Sequence, residues 1–259
     1  MDLPSPEILA LLVAASGLAG FVDAIAGGGG MILLPALMLG LPADVPIPTL
    51  LGTNKFAAAT GTSAAAVQFL RAGLVRPRDL AGPVVAAMAG AALGAHLSYE
   101  VPSEWLRPIL LVLLAAMLAF TLCRPELGAT HDPRWQGTRQ HLAASLIALA
   151  LGFYDGIFGP GTGSLLIFLY VGVLGFDFLR ASALAKAANW GSNAAALTLF
   201  LWRGSWLPWV ALLLAAGNFA GGQLGARLAI GKGSAWVRWV FVGVVAALLA
   251  RLAWQALAE

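Results

Sequence analysis

Four ionisable side chains stand inside otherwise apolar stretches of the chain: Asp23, Lys55, Asp155 and Lys186. A lone Asp or Lys at the centre of a membrane-spanning helix costs about 2.5 to 3.5 kcal/mol on insertion scales, so each needs a partner or a wet cavity. Two readings follow. In the first, the lysines present ammonium groups to an anion in a central cavity while Asp23 and Asp155 hold and tune them. In the second, the four residues form two structural Asp to Lys pairs, one in each half of the chain, each fixing a hairpin against the helix that follows.

The neighbouring polar residues extend the first reading. Thr53 and Asn54 precede Lys55, while Asn189, Ser192 and Asn193 follow Lys186. Lys186, Asn189 and Asn193 are spaced i, i+3 and i+7 and so share one helical face. Amide and hydroxyl donors beside an ammonium suit the several oxygens of a tetrahedral anion. The same residue types also join membrane helices without any ligand. Two glycine-rich breaks add backbone donors: Gly27, Gly28, Gly29 and Gly30 in the first half, and Gly159, Pro160, Gly161, Thr162 and Gly163 in the second. A half-helix starting after each break would aim its N-terminal amides at an anion. A plain tight turn is the competing explanation. A nucleotide phosphate loop is not supported, because no Walker lysine follows.

The elements that must position these groups are membrane helices. Apolar residues make up 60% of the 259 residues and charged residues 10%, with a mean hydropathy of +0.85; a soluble domain carries about 25% charged residues. Apolar blocks lie near 6–26, 31–41, 46–70, 79–99 and 104–123, then 142–158, 163–174, 178–202, 206–229 and 234–256. Most are about 20 residues long, enough to cross roughly 30 Å of hydrocarbon. The blocks at 31–41 and 163–174 are too short and predict arms of re-entrant or broken hairpins. Gly90, Gly94, Gly221 and Gly225 read as small-xxx-small packing pairs.

The second half repeats the first. Gly20, Phe21 and Asp23 match Gly152, Phe153 and Asp155 at an offset of 132, from 23 to 155, while Lys55 matches Lys186 at 131, from 55 to 186. Phe69 with Phe200, Gly73 with Gly204, Gly90 with Gly221 and Gly94 with Gly225 keep the second offset. The expected architecture is an all-α polytopic membrane protein of two repeats, 1–123 and 142–259, joined by a polar cytoplasmic linker, 124–141. Each repeat contains five helical segments and begins with a glycine-rich hairpin. Arg71, Arg76 and Arg78 in one loop and Arg124, Arg134 and Arg139 in another place both loops in the cytoplasm. In the second half the basic cluster moves to Arg227, Lys232 and Arg238. Five segments per repeat therefore invert the second repeat and put both termini in the periplasm, an arrangement with a midplane binding site.

Other classes find less support. The segment from Met1 to Glu7 lacks the basic region of a cleavable signal peptide. The net charge of +3 resides in short loops, a topology signal rather than a nucleic-acid footprint. Cys123 is the only cysteine, so an intrachain disulfide is impossible and no metal or cofactor site is expected. His96, His131 and His141 fall at block ends or in the linker and read as interfacial.

The stretches GFVDAIAGGGGMILLPAL from Gly20, LGTNKFAAATGT from Leu51, GFYDGIFGPGTGS from Gly152 and ALAKAANWGSNAAAL from Ala183 resemble the TauE/SafE sulfite exporter family, also called TSUP, over nearly the whole chain. The resemblance implies a bacterial inner-membrane carrier of sulfite, thiosulfate, sulfoacetate or a related organosulfur anion. The expected function is thus secondary transport of such an anion, with export the expected direction, no enzymatic activity, and the lipid bilayer and the anion as partners; a homodimer is compatible. Two alternatives are weighed. A passive anion channel would use the same charges. An intramembrane aspartyl protease would use Asp23 and Asp155, but the GxGD motif of such enzymes is absent, and nearby lysines oppose a dyad sharing one proton.

Overall fold

The computed structural model describes residues 4–42, 44–98, 128 and 130–258, and among these there are eight helices and no strands. The helices are α1 (Pro6–Ala26), α2 (Gly30–Gly40), α3 (Ile47–Arg71), α4 (Pro77–Leu97), α5 (Gly137–Ile157), α6 (Thr162–Gly172), α7 (Phe178–Trp202) and α8 (Pro208–Ala258). Their starts are written locally. Ser5 caps α1, its hydroxyl accepting from the Ile8 amide at 3.4 Å, and Asp177 caps α7 by accepting from the Arg180 amide at 2.9 Å. Proline opens α1, α3 and α4, where its missing N–H costs nothing.

The expected segments appear with small shifts. α5 begins at Gly137, inside the expected linker, because its first turn is polar and carries no apolar periodicity. The expected break at 230–233 narrows to one interruption of α8 at Gly233, with φ 78° and ψ −178°. The expected segment at 104–123 lies outside the described residues, as do Cys123 and Arg124. Lengths of 21, 11 and 25 residues recur in α1, α2 and α3 and in α5, α6 and α7. The one-residue change of offset falls in the loop after each short helix, 41–46 against 173–177, so both hairpins keep their internal register.

Among the described residues, three stretches are long and apolar enough to cross a membrane: α1, α4 and residues 208–247 of α8. α2 and α6 have 11 residues each, about 16 Å of helix and half the hydrocarbon thickness. The two halves interlock. α1 packs against α8, α4 packs against α5, and α3 and α7 cross in the middle, α3 also touching α8 and α7 touching α4.

Small residues permit this closeness. A side chain at Gly94 of α4 would collide with the Phe153 carbonyl of α5, and one at Gly221 of α8 would collide with the Gly17 carbonyl of α1. The expected packing role of these glycines therefore matches their positions.

At the polar end of α7, Asp177 gathers several groups. Ser234 donates to its Oδ1 at 2.6 Å, Arg180 Nε lies 3.7 Å from Oδ2, and His131 Nδ1 lies 3.5 Å from the same oxygen. Burial and the Arg180 guanidinium nonetheless hold the His131 imidazole below its ordinary pKa of 6.5, outweighing Asp177 and Asp132.

Two outcomes follow. Gly94→Val should destabilise the protein by about 1 to 3 kcal/mol or more through overpacking, whereas Gly243→Ala, with open space around it, should be neutral or slightly stabilising; thermal unfolding in detergent separates them. His131 binds its proton less readily folded than unfolded, so its contribution is present above pH 6.5 and lost as pH falls below it. Melting temperature should therefore decline less on acidification in His131→Gln than in the wild type.

Candidate functional site

The two glycine breaks meet at the middle of the molecule. α1 ends at Gly27 with φ 76°, and the second break turns at Gly159 and Gly161 with φ of 91° and 84°, values that glycine adopts without strain. An added Cβ on Gly163 would come within 2.9 Å of Gly27 Cα, so the tips touch. Ser164 fastens them, its hydroxyl donating to the Ala26 carbonyl at 2.9 Å, and Ser182 of α7 donates to the Ile25 carbonyl at 3.1 Å. Both short helices start at this junction, α2 after Gly29 and α6 after Gly161.

The four intramembrane charges pair beside these tips, and they pair across the halves. Lys55 Nζ of α3 lies 2.7 Å from Asp155 Oδ2 of α5, and Lys186 Nζ of α7 lies 2.8 Å from Asp23 Oδ2 of α1. The pairing of one Asp and one Lys within each half, weighed as the structural reading, is not the arrangement found. Interlocking explains why: the C-terminal turn of α1 is brought to α7, and that of α5 to α3. A buried charge left without its partner costs several kcal/mol, so the crossed pairs tie each half to the other.

The two pairs differ in their surroundings. Asp23 has both oxygens engaged, Oδ2 by Lys186 and Oδ1 by the Gly29 amide at 3.3 Å. Asp155 receives two donors on one oxygen: Lys55, and Ser192 Oγ at 2.6 Å, both on Oδ2. Its Oδ1 faces Gly159 and has no hydrogen-bond donor among the described residues.

A cavity separates the pairs. Its walls include Asp23, Lys55, Asp155, Gly28, Gly29, Gly30, Gly161, Thr162, Gly163, Asn54, Asn189 and Asn193. The centre of a water molecule can occupy about 30 Å³ of it, room for roughly one or two waters. A tetrahedral oxyanion needs the walls to move. Asn193 Nδ2 donates to Asn189 Oδ1 at 3.2 Å, whereas Asn54 Oδ1 is buried with no protein partner.

Three expected residues lie behind this wall. Lys186 is fully buried behind Asp23, and Ser192 orients Asp155. Thr53 serves packing: its hydroxyl donates to the Thr49 carbonyl at 2.8 Å and accepts from the Leu207 amide at 3.0 Å, at the start of α8.

One polar wall residue escaped the sequence reading. Asn218 of α8 lines the cavity, its Nδ2 held by the Ser16 carbonyl at 3.0 Å and the Ser16 hydroxyl at 3.2 Å. The repeat concealed it, since the matching position in the first half is Ala87. Its signal was that of an uncharged amide within an apolar block.

A second, wider cavity of about 280 Å³ opens between the first turns of α4, α5 and α7, with Arg76, Asp79, His131, His141 and Arg180 on its walls. His141 Nε2 stands 3.5 Å from Asp79 Oδ1 there.

The family described as "Sulfite exporter TauE/SafE" matches over residues 12–252. A "Probable membrane transporter protein ORF9" of Sinorhizobium sp is 40% identical over 95% of this chain and 92% of its own length. A "Probable membrane transporter protein" of Haemophilus influenzae is 38% identical over 90% and 89%, and "Probable membrane transporter protein YfcA" of Escherichia coli strain K12 is 35% identical over 96% and 90%. No solved structure matches.

Crossed pairing has a thermodynamic signature. Double-mutant cycles on melting temperature should give strong coupling between Lys55→Gln and Asp155→Asn and between Lys186→Gln and Asp23→Asn, equivalent to at least about 1.5 kcal/mol. The within-half combination of Lys55→Gln with Asp23→Asn should be closer to additive. Equal coupling in all combinations would contradict the geometry.

Proposed function

The chain belongs to the sulfite exporter TauE/SafE family of membrane transporters, and from that premise we propose that it is a secondary carrier of a small sulfur-containing oxyanion or organosulfonate. The observation that carries the reading is the junction of the two glycine breaks with Lys55 and four asparagines around one small cavity. Lys55 is the anion's ammonium, Asn54, Asn189 and Asn193 supply amide groups, and the first turns of α2 and α6 supply oriented N–H groups. Lys186 acts at one remove, fixing Asp23 and the first break.

The two halves work as inverted repeats around this midplane site in the bacterial inner membrane. The loops with Arg71, Arg76 and Arg78 face the cytoplasm, both termini face the periplasm, and the wide cavity with Arg76 and Arg180 is the cytoplasmic approach. Its basic side chains raise the local concentration of anions before they reach the closed site. Export is the direction read from the family's description.

The small volume, about 30 Å³, favours a carrier over a channel, since an anion path open to both sides needs continuous width. An aspartyl protease is disfavoured because Asp23 and Asp155 are each bonded to a separate lysine.

The test is flux of sulfite, thiosulfate and sulfoacetate into proteoliposomes. Lys55→Met should lower transport of the moved anion by at least about thirtyfold, since losing the charged partner of a buried anion costs roughly 2 to 5 kcal/mol, while the protein remains folded by size-exclusion chromatography. Substrate on the far side should accelerate uptake. Wild-type flux in Lys55→Met would remove the lysine from the path, and absence of trans-acceleration would favour a channel.

A further inference from the structure

We propose that Asp155 is the proton-loading group of this carrier, and that a monovalent anion crosses together with one proton taken up on Asp155 Oδ1, the carrier moving no net charge. The proposal rests on the reading that an anion binds at Lys55.

The closed site holds two ammonium and two carboxylate groups in two pairs, 2.7 and 2.8 Å apart, so it is already neutral. An anion that enters adds one uncompensated negative charge to a low-dielectric interior, a cost of several kcal/mol unless something neutralises it. A proton that arrives with the anion does so, and it needs an acceptor that can part from its lysine.

Only one of the two carboxylates is built for that. Asp23 is held at both oxygens, by Lys186 and by the Gly29 amide, and Lys186 is wholly buried and has no place on the cavity wall. Lys55 does line the cavity, and Asp155 Oδ1 is left without a donor among the described residues. If a proton adds to Oδ1, one O–H bond forms and Asp155 becomes neutral. Lys55 keeps its own protons and turns to the anion. Ser192, 2.6 Å from Oδ2, retains the acid in place after the ammonium leaves.

No other ionisable group among the described residues competes for this role. Lys55 faces Asp155 from α3, and the Asp23–Lys186 pair faces it across the cavity from α1 and α7. α2, α6 and α8 contribute to the wall only glycines, Leu33, Thr162 and Asn218. α4 places Ala91 and Ala95 against Gly156, and within α5 the Tyr154 hydroxyl is committed to the Pro160 carbonyl at 2.8 Å.

Coupling of this kind makes transport follow the gradients of anion and proton and ignore the membrane potential. Methanesulfonate is a suitable probe, because it stays ionised across the working pH range and any proton moved belongs to the protein. Purified protein in liposomes, with a pH dye inside and the potential set by potassium and valinomycin, should take up one proton per methanesulfonate. Uptake should be unchanged by the sign of the potential. At subsaturating anion, uptake should rise as the outer pH falls, by up to about tenfold per pH unit, the slope of one bound proton.

Asp155→Asn supplies the opposite sign of effect. With the carboxylate neutralised permanently, methanesulfonate should stabilise the variant against heat equally at pH 6 and pH 8, whereas its effect on the wild type should shrink as pH rises, and any remaining uptake should respond to potential without acidifying the lumen. The double variant Lys55→Gln with Asp155→Asn controls for folding and should bind no anion. Methanesulfonate flux that carries net charge and leaves the internal pH unchanged would overturn the coupling while leaving the anion carrier intact. No flux of methanesulfonate or sulfite through the wild type would overturn both readings.

Discussion

A lysine buried among apolar helices must find a carboxylate, and in this molecule each finds it in the opposite half. Lys55 reaches Asp155 and Lys186 reaches Asp23, both within 3 Å. Much of the central architecture follows from this constraint. For α3 to deliver Lys55 to α5, the halves must interleave, and they do so with α1 on α8 and α4 on α5. Neither half on its own could neutralise its charges in this way. The pairs therefore act as cross-links, and separating the halves would expose two ions and two counter-ions to hydrocarbon together.

Close backbone approach makes that interleaving feasible. The Gly20 and Gly152 positions of the repeated motif each face backbone of the partner helix, Asn218 in one case and Ala87 in the other. Three residues later on the same helices come Asp23 and Asp155. A glycine that sets the helix spacing thus sits one turn from the acid whose reach depends on that spacing. The broken tips extend the same logic: contact of Gly27 with Gly163 brings two half-helix starts to one point, where N–H groups exist without intrahelical partners.

Part of this was legible in the chain, and the physical reasons differ by residue. Asp23, Lys55, Asp155 and Lys186 stood out because charge in an apolar block is costly wherever it lies. The short helices were legible from length and from glycine runs. Which acid meets which base was not, since pairing depends on helix neighbours many residues apart, and a repeat naturally suggests partners within each copy. Thr53 looked like a ligand group because it precedes Asn54 and Lys55, yet a strand-free loop at 203–207 folds back and takes its hydroxyl as an acceptor. Asn218 was hidden because its copy in the first half is Ala87.

Departures from the repeat are also where the surroundings of the two pairs differ. Pro160 stands where the first half has Gly28, and Tyr154 stands where it has Val22; the Tyr154 hydroxyl grips the Pro160 carbonyl at 2.8 Å. In the first break the Gly29 amide turns toward Asp23 and bonds it. In the second break Asp155 has no such amide and relies on Ser192, whose counterpart in the first half is Gly61. One acid is thus fixed by backbone, which cannot leave. The other is held by an ammonium and a hydroxyl, both on side chains that can rotate. The repeat supplies two charge pairs, and a few substitutions in the second copy leave one acid bonded by backbone and the other only by side chains, the difference from which the proposed proton coupling is argued.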